Sequence, residues 1–475
     1  MKKLSNILIL TLLFSLATSA QKTKIAVLKK LDSQSEKYGS IAMQIWNLAE
    51  MGYLEEQSSS LLQETLSNEG FTIKKGVANI PTAFIAEYGS GLPIIAILGE
   101  FDALPGLSQQ AIPEKKSANG DAGHACGHHL FGTASAAAAI SVKQWMQSTK
   151  QKGTIRFYGC PAEEGGGAKV YMARDGLFDD VDIALHWHPS SQNAASAAAA
   201  LANISAKFRF HGVSAHAAGA PEKGRSSLDG VEAMNAMVNM MREHVPQEAR
   251  IHYVITDGGK APNVVPDFAE VYYYSRHNSR DVVRSIFNRI VKAGEGAALG
   301  TGTTMDYEII NGVHELLPNL SLQKLVHDNL SAIGGVTYSA EEKEFAEKIA
   351  LSLGQTKADL DRAVNIQPYK ETAQAYGSTD VGDVSFVVPT VGFGTATWVP
   401  GTSAHSWQAV AAGGTSIGEK GMMVAAKTIT ATVIDLFKNQ ELIVKAKVEF
   451  KNRRGLNFIY KPLLGNRPPA LNYRK

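Results

Sequence analysis

Three short apolar runs, each opening onto a cluster of titratable residues, constrain this chain more than any other feature. Ile94-Ile95-Ala96-Ile97-Leu98 leads to Asp102. Thr154-Ile155-Arg156-Phe157-Tyr158 leads to Cys160 and then to Glu163-Glu164. Val181 to Leu185 leads to His186 and His188. Between them, the alanine-rich residues 133–146 follow a glycine-rich turn and read as a helix. Residues 34–69 also read as helical, with Ile41, Ile45, Leu48 and Ala49 at helical spacing. Strands alternating with helices predict a mostly parallel α/β domain. Such sheets bind ligands beyond the carboxyl ends of their strands, which is where these polar residues lie.

The pattern changes near Ala202. Ile204, Ala206, Phe208 and Phe210 alternate with Ser205, Lys207, Arg209 and His211, as in a half-buried strand. A helix over about 226–245 comes next, then strands at 251–256 and 268–276. A helix at about 279–299, capped by Ser279, and a strand at 303–311 complete a β-α-β-β-α-β, ferredoxin-like module. The helix and strand alternation then resumes. The expected organisation is an α/β catalytic domain in two parts, 21–201 and 314–450, with an inserted lid at 202–313. Residues 451–475 hold seven basic and no acidic residues and read as a solvated basic tail.

The chain opens with Met1-Lys2-Lys3, an apolar run from Ile7 to Ala17, and Thr18-Ser19-Ala20. That is the layout of a signal peptide over 1–20, so the chain is expected to be exported by a bacterium, to the periplasm or beyond. No other stretch is long and apolar enough to span a bilayer. Removing Lys2 and Lys3 from 47 basic residues leaves 45 against 45 acidic ones, a net charge of zero. Neither nucleic acid nor an anionic membrane is then an expected partner. Two cysteines in 475 residues exclude a disulfide scaffold, although export would permit a Cys126–Cys160 bridge.

Gly123-His124-Ala125-Cys126-Gly127-His128-His129 is the densest chemical cluster, and thiolate and imidazole are the usual ligands of zinc and related metals. Glu163-Glu164 lies between a strand end and a glycine run, a poor place for idle charge. Two carboxylates there could divide metal binding and proton transfer. His186 and His188 are two apart on a strand and face the same way. Seven of the 13 histidines (124, 128, 129, 186, 188, 216 and 405) fall in such clusters, which favours a metal site over scattered core histidines.

Further segments add specificity: Gly99-Glu100-Phe101-Asp102-Ala103-Leu104-Pro105, Pro161-Ala162-Glu163-Glu164, the run His211 to Ala218, Asn263-Val264-Val265-Pro266-Asp267, Gly377-Ser378-Thr379-Asp380 and the His405 segment. In this order they resemble the metal-dependent peptidase and amidohydrolase superfamily of aminoacylases and carboxypeptidase G, over roughly residues 25–465. The resemblance implies the same insertion architecture, with a lid that also dimerises. It implies two divalent metal ions, zinc or manganese, held by Cys126, His128, Glu164, a histidine of the Leu185–Pro189 segment and His405. The Trp-His-Pro unit favours His188 for that ligand. Glu163 matches the general base, His216 a residue that stabilises the oxyanion in the partner subunit's site, and Asn263 and Arg276 the holders of a substrate carboxylate. Asp102 matches a residue that orients a ligand. The implied activity is hydrolysis of an amide in a small peptide or an N-acyl amino acid, an aminobenzoyl group among the acyl groups. The implied assembly is a homodimer, with a paralogous second subunit as the alternative.

Two rival readings use the same residues. Cys126 could be the nucleophile of a thiol hydrolase, but this leaves Glu163-Glu164 and His405 without a role. An exported binding protein without catalysis would not need Glu163 beside every candidate ligand. Gly414-Thr415-Ser416-Ile417-Gly418 fits a serine elbow, but that fold needs a histidine after the serine and none comes after His405.

Overall fold

Alternate side chains of Ile94–Gly99 enter two different cores: Ile95 and Ile97 one, Ala96 and Leu98 the other. A strand buried on both faces belongs inside a sheet covered by helices on each side. The computed structural model describes residues 22–374 and 377–474. The expected export segment, 1–20, lies outside the described residues. The main elements of the first part are α1 (Ser35–Leu48), α2 (Glu56–Asn68), β1 (Thr72–Lys75), β2 (Phe84–Ser90), β3 (Ile94–Gly99), α3 (His128–Thr149), β4 (Gly153–Gly159), α4 (Ala168–Arg174) and β5 (Ile183–Leu185). The lid comes next as β6 (Ala202–His211), α5 (Ser227–Met241), β7 (Arg250–Asp257), β8 (Phe268–His277), α6 (Arg280–Thr301) and β9 (Thr304–Val313). The chain then returns through α7 (Leu320–Ile333), α8 (Ala340–Ser352), β10 (Thr390–Val391), α9 (Trp407–Gly413), α10 (Ser416–Lys438) and α11 (Gln440–Arg454).

The larger sheet has the order β1-β2-β4-β3-β5-β10. β4, β3, β5 and β10 run parallel, and the β1–β2 hairpin adds an antiparallel edge. α3 is buried on nearly every face, and its residues Ala134 and Ala136 to Ala139 are small enough for α10 to pack closely against it. The lid sheet is antiparallel, in the order β7-β8-β6-β9, so the β-α-β-β-α-β reading holds. α5 and α6 cover one face, where Phe208, Phe210, Val271 and Tyr273 meet Met234 and Ile290. Among the described residues no helix is long and apolar enough to cross a membrane.

Three local expectations are corrected. Residues 34–69 form two helices, broken where Ala49 and Tyr53 adopt positive φ. The break tucks Gly52 against Ala162, where an added Cβ would sit 3.0 Å from the Ala162 Cβ. Glu50 restarts the chain by accepting the Ser58 N–H at 2.8 Å, relieving one of the donors a helix start leaves open. Ser279 does occupy the N-cap of α6, but its side chain makes no capping bond. Glu315 accepts the Arg280 N–H at 2.9 Å instead.

The third correction concerns the basic tail. Its first residues extend α11 to Arg454, and the remainder is packed against the protein rather than a solvated end. Leu463 joins the lid core and Leu464 the core beneath the larger sheet. The tail's arginines reach backbone carbonyls, Glu449 and Glu308, and apolar residues between them supply burial.

Candidate active site

Each strand end delivers part of one cluster. β3 ends at Gly99, followed by Glu100 and Asp102; β4 leads to Cys160 and the Glu163-Glu164 loop; β5 leads to His186 and His188. Gly127 begins α3 with φ 74, and an added Cβ would lie 2.7 Å from the Pro189 Cβ. A side chain there would be strained and would clash, so glycine sets the turn that separates Cys126 from His128. In the loop after β4, Ala162 has φ 53 and its carbonyl accepts the Gly166 and Gly167 N–H groups. Its own N–H donates to the buried Glu55 at 2.7 Å.

Seven expected residues come together. His128 Nδ1 donates to Asp102 Oδ1 at 2.8 Å, which turns Nε2 towards the site. The other Asp102 oxygen accepts the Glu164 N–H at 2.9 Å. His188 Nδ1 donates to the Pro189 carbonyl at 2.7 Å, and its Nε2 lies 3.4 Å from Cys126 Sγ. His405 reaches Glu164 Oε1 at 2.9 Å, its backbone at φ 60 and its N–H on the Ala125 carbonyl. Ligand atoms of Cys126, His128 and His188 lie within 4.8 Å of one another, as do those of Cys126, Glu164 and His405. A third such group is Glu100, His128 and Glu163. Cys126 is common to the first two, so the geometry offers two adjoining centres.

Several of these atoms approach without satisfying one another. His128 Nε2 is 3.1 Å from Glu100 Oε2, yet neither atom makes a hydrogen bond. Glu164 Oε1, facing His405, is also buried without a hydrogen bond. Buried polar atoms are normally paired, so converging orphans of this kind form a set of donors that could hold a cation.

The two adjacent glutamates differ electrostatically. Burial, with Glu100 and Glu164 nearby, pushes Glu163 well above the usual carboxylate range. Burial also opposes charge on Glu164, but the His405 imidazole 2.9 Å away and His128 outweigh it and hold that carboxyl low. The same close approach of Glu164 raises His405. Burial pushes His188 down to about 4 and His186 down to about 3. His128 loses by burial too, yet Cys126, Asp102 and Glu100 raise it overall. Two neighbouring carboxyls driven apart in this way can take different parts in one reaction.

His186 lines the same cavity but stays outside the ligand groups, its ring pressed on Gly392. His129 is buried, bonded to the Gly413 carbonyl at 3.0 Å, and His124 to that of Ile45 at 3.0 Å; both support packing. Both cysteines are free, so no Cys126–Cys160 bridge forms. A cavity of about 1520 Å³ lies between the cluster and the lid face, and Glu163 and Arg276 line it. His216 and Asn263 do not line it. They are exposed on adjoining lid loops, where the Ala217 N–H donates to the Asn263 carbonyl.

Sequence reasoning missed a buried charge cluster behind the site. Lys169 bridges Glu100 at 2.7 Å and Asp380 at 2.6 Å. The spacing of Glu100 and Asp102 after a strand was a usable signal for Glu100. No local pattern joins Lys169 to Asp380 across so long a stretch of chain.

Residues 201–299 match the family of the peptidase dimerisation domain. The chain is 40% identical over 469 residues to the B subunit of p-aminobenzoyl-glutamate hydrolase from Escherichia coli, covering 93% of this chain and 97% of that protein. It is 27% identical over 452 residues to the Xaa-Arg dipeptidase of Mus musculus, covering 92% and 94% respectively. The fold matches the Bacillus subtilis YXEP protein, described as a dinuclear metal binding peptidase from the M20 family. That match has a TM-score of 0.58 at 16% identity and covers 86% of this chain and 99% of that one. The strand-end cluster, the two-helix lid and near full-length similarity agree: this chain belongs to the M20 family of peptidases and amidohydrolases, hydrolases of carbon–nitrogen amide bonds.

Proposed function

We propose that the chain is an exported, metal-dependent amidohydrolase that cleaves N-acyl amino acids, aminobenzoyl-glutamate among them. The observation that carries this is the pair of ligand groups sharing Cys126, with Glu163 in the adjoining group. The converging orphan atoms of His128 and Glu164 support a fit to cations, and the thiolate, imidazole and carboxylate set suits zinc or manganese. Cys126, His128, Glu164, His188 and His405 would hold two divalent ions. When bound, these would supply Lewis acidity and a lowered water pKa. Asp102 fixes the His128 tautomer. Glu163 takes a proton from the attacking water and returns it to the leaving amine, work suited to a carboxyl held above its usual range. Arg276 offers a guanidinium fork to the substrate carboxylate.

The active form we infer is a homodimer. β7 is an edge strand whose Tyr253, Val254 and Ile255 are exposed, and Met240 of the neighbouring α5 is 71% exposed. An exposed apolar patch beside an open strand edge is a natural interface. His216 Nδ1 accepts the Gly219 N–H at 3.0 Å, leaving Nε2 to point away from its own loop. A second copy would present that nitrogen, with Asn263, to the neighbouring site. A paralogous second subunit is the alternative partner, since the Escherichia coli relative is named as one subunit of its hydrolase. The pattern of residues 1–20 supports export to the periplasm or the medium.

The test is hydrolysis of aminobenzoyl-glutamate, N-acyl amino acids and dipeptides before chelation, after it, and after return of zinc or manganese. Activity lost and regained is expected. Activity indifferent to chelation would favour the thiol hydrolase, and no hydrolysis in any arm a binding protein.

A further inference from the structure

After α11 the chain crosses the lid strand β9 and ends its described course beside the Glu163–Glu164 loop. Arg467 ties it to β9, bonding the Ile309 carbonyl and Glu308. Tyr473 packs edge-on against Tyr53, ring centroids 5.5 Å apart, and its hydroxyl donates to the Glu164 carbonyl at 3.2 Å. Arg474 Nη2 donates to the same carbonyl at 2.6 Å. Arg467 and residues 469–474 form one wall of the cavity.

The cations of this cavity fall into two kinds. Lys207 and Arg209 are paired with Glu270, and Arg209 and Arg467 with Glu308. Arg276 and Arg474 have no carboxylate partner among the described residues, and in both the Nε is buried without an acceptor. Both side chains are half-buried, and an enclosed Nε donor left unused is costly unless an anionic group arrives to accept from it. The two lie on a continuous wall. Arg276 stacks over Tyr274, whose hydroxyl is 3.2 Å from that of Tyr272, and these residues line the same cavity as Arg474.

We propose that Arg474 is a specificity-determining residue that binds a second carboxylate of the substrate. Arg276 takes the α-carboxylate, and the shared wall puts both anions on the amino-acid side of the scissile amide. The preferred substrates are therefore N-acyl derivatives of dicarboxylic amino acids. The inference rests on the amidohydrolase reading.

The experiment compares aminobenzoyl-glutamate with aminobenzoyl-glutamine, which differs by one charge, in the metal-loaded wild type, Arg474→Gln and Arg474→Lys. The wild type should prefer the glutamate substrate by at least ~10-fold in kcat/KM. Arg474→Gln should remove that preference, mainly through KM, while the glutamine substrate changes by less than ~3-fold. Arg474→Lys should restore part of it, having charge without the fork. Calorimetric binding of both compounds to Glu163→Gln, with and without Arg474→Gln, should show the same selective loss without turnover. Equal losses on both substrates would mean that Arg474 only props the Glu164 loop, and no loss on either would give it no role; each overturns the proposal. A wild type that hydrolyses neither compound overturns the amidohydrolase reading itself, a result distinct from the other two.

Discussion

Asp102 spends its two carboxylate oxygens on different parts of the site: one accepts His128 Nδ1 at 2.8 Å, the other the Glu164 backbone N–H at 2.9 Å. A single side chain thereby sets the rotation of one candidate ligand and the position of the loop that carries another. Asp102→Asn cannot keep both bonds, because its NH₂ must face one of two donors. Metal affinity is expected to fall by about 10–100-fold. Metal content after dialysis against graded free-metal buffers measures this, and an unchanged affinity would remove Asp102 from the assembly of the site.

Glu163→Gln removes a proton acceptor and little else. Turnover should drop by at least ~10²-fold with metal content unchanged. Near wild-type turnover with metal bound would assign the base elsewhere.

The free thiols predict the outcome of alkylation in denaturant without reductant or metal. Intact mass should show two modified cysteines, since Cys126 and Cys160 are unbridged. Cys126→Ala should also lower metal content, as expected of a ligand common to both centres.

Donation across a dimer predicts complementation. Glu163→Gln and His216→Ala homodimers should both be inactive, whereas a purified mixed dimer should recover up to about half of the wild-type activity per dimer, from its one intact site. Activity no higher than the mean of the two parents would confine His216 to its own chain.

Asp383 predicts a pH effect on stability remote from catalysis. Burial pushes its carboxyl up from 3.8 to about 7, while it accepts the Tyr460 hydroxyl at 2.6 Å and the His314 N–H at 2.9 Å. The folded state then binds the proton more tightly than the unfolded one. Its contribution is fully present below 3.8 and is lost as pH rises through about 7. Asparagine keeps both bonds, since the Tyr460 hydroxyl can accept as well as donate. Asp383→Asn should therefore gain stability relative to wild type as pH rises from 4 to 8. Denaturant titrations at those two pH values measure it, and an equal difference at both would contradict the raised pKa.

The strands that carry chemistry were legible because each is an unbroken apolar run ending abruptly in titratable residues. The lid was legible because its strands alternate, and helices on one face leave Phe208 and Phe210 on the buried side. The break between α1 and α2 was not, since Ala49 and Tyr53 have no turn-forming side chains; tertiary contact with Ala162 imposes it. The course of residues 456–474 was hidden for a similar reason. Arginines that bond to main-chain carbonyls look in sequence like arginines in water. For the ligand cluster, adjacency gave the residue types, the Trp-His-Pro unit favours His188 over His186, and it is the His188 ring that meets Cys126.

The two faces of the lid have a consequence for inheritance. Phe208, Val271 and Tyr273 point into the helices, while Lys207, Tyr272 and Tyr274 between them point into the cavity. A mutation at the immediate neighbour of a core position alters what the enzyme admits without touching what keeps the lid folded. Descendants of such a chain can change their diet one alternate residue at a time.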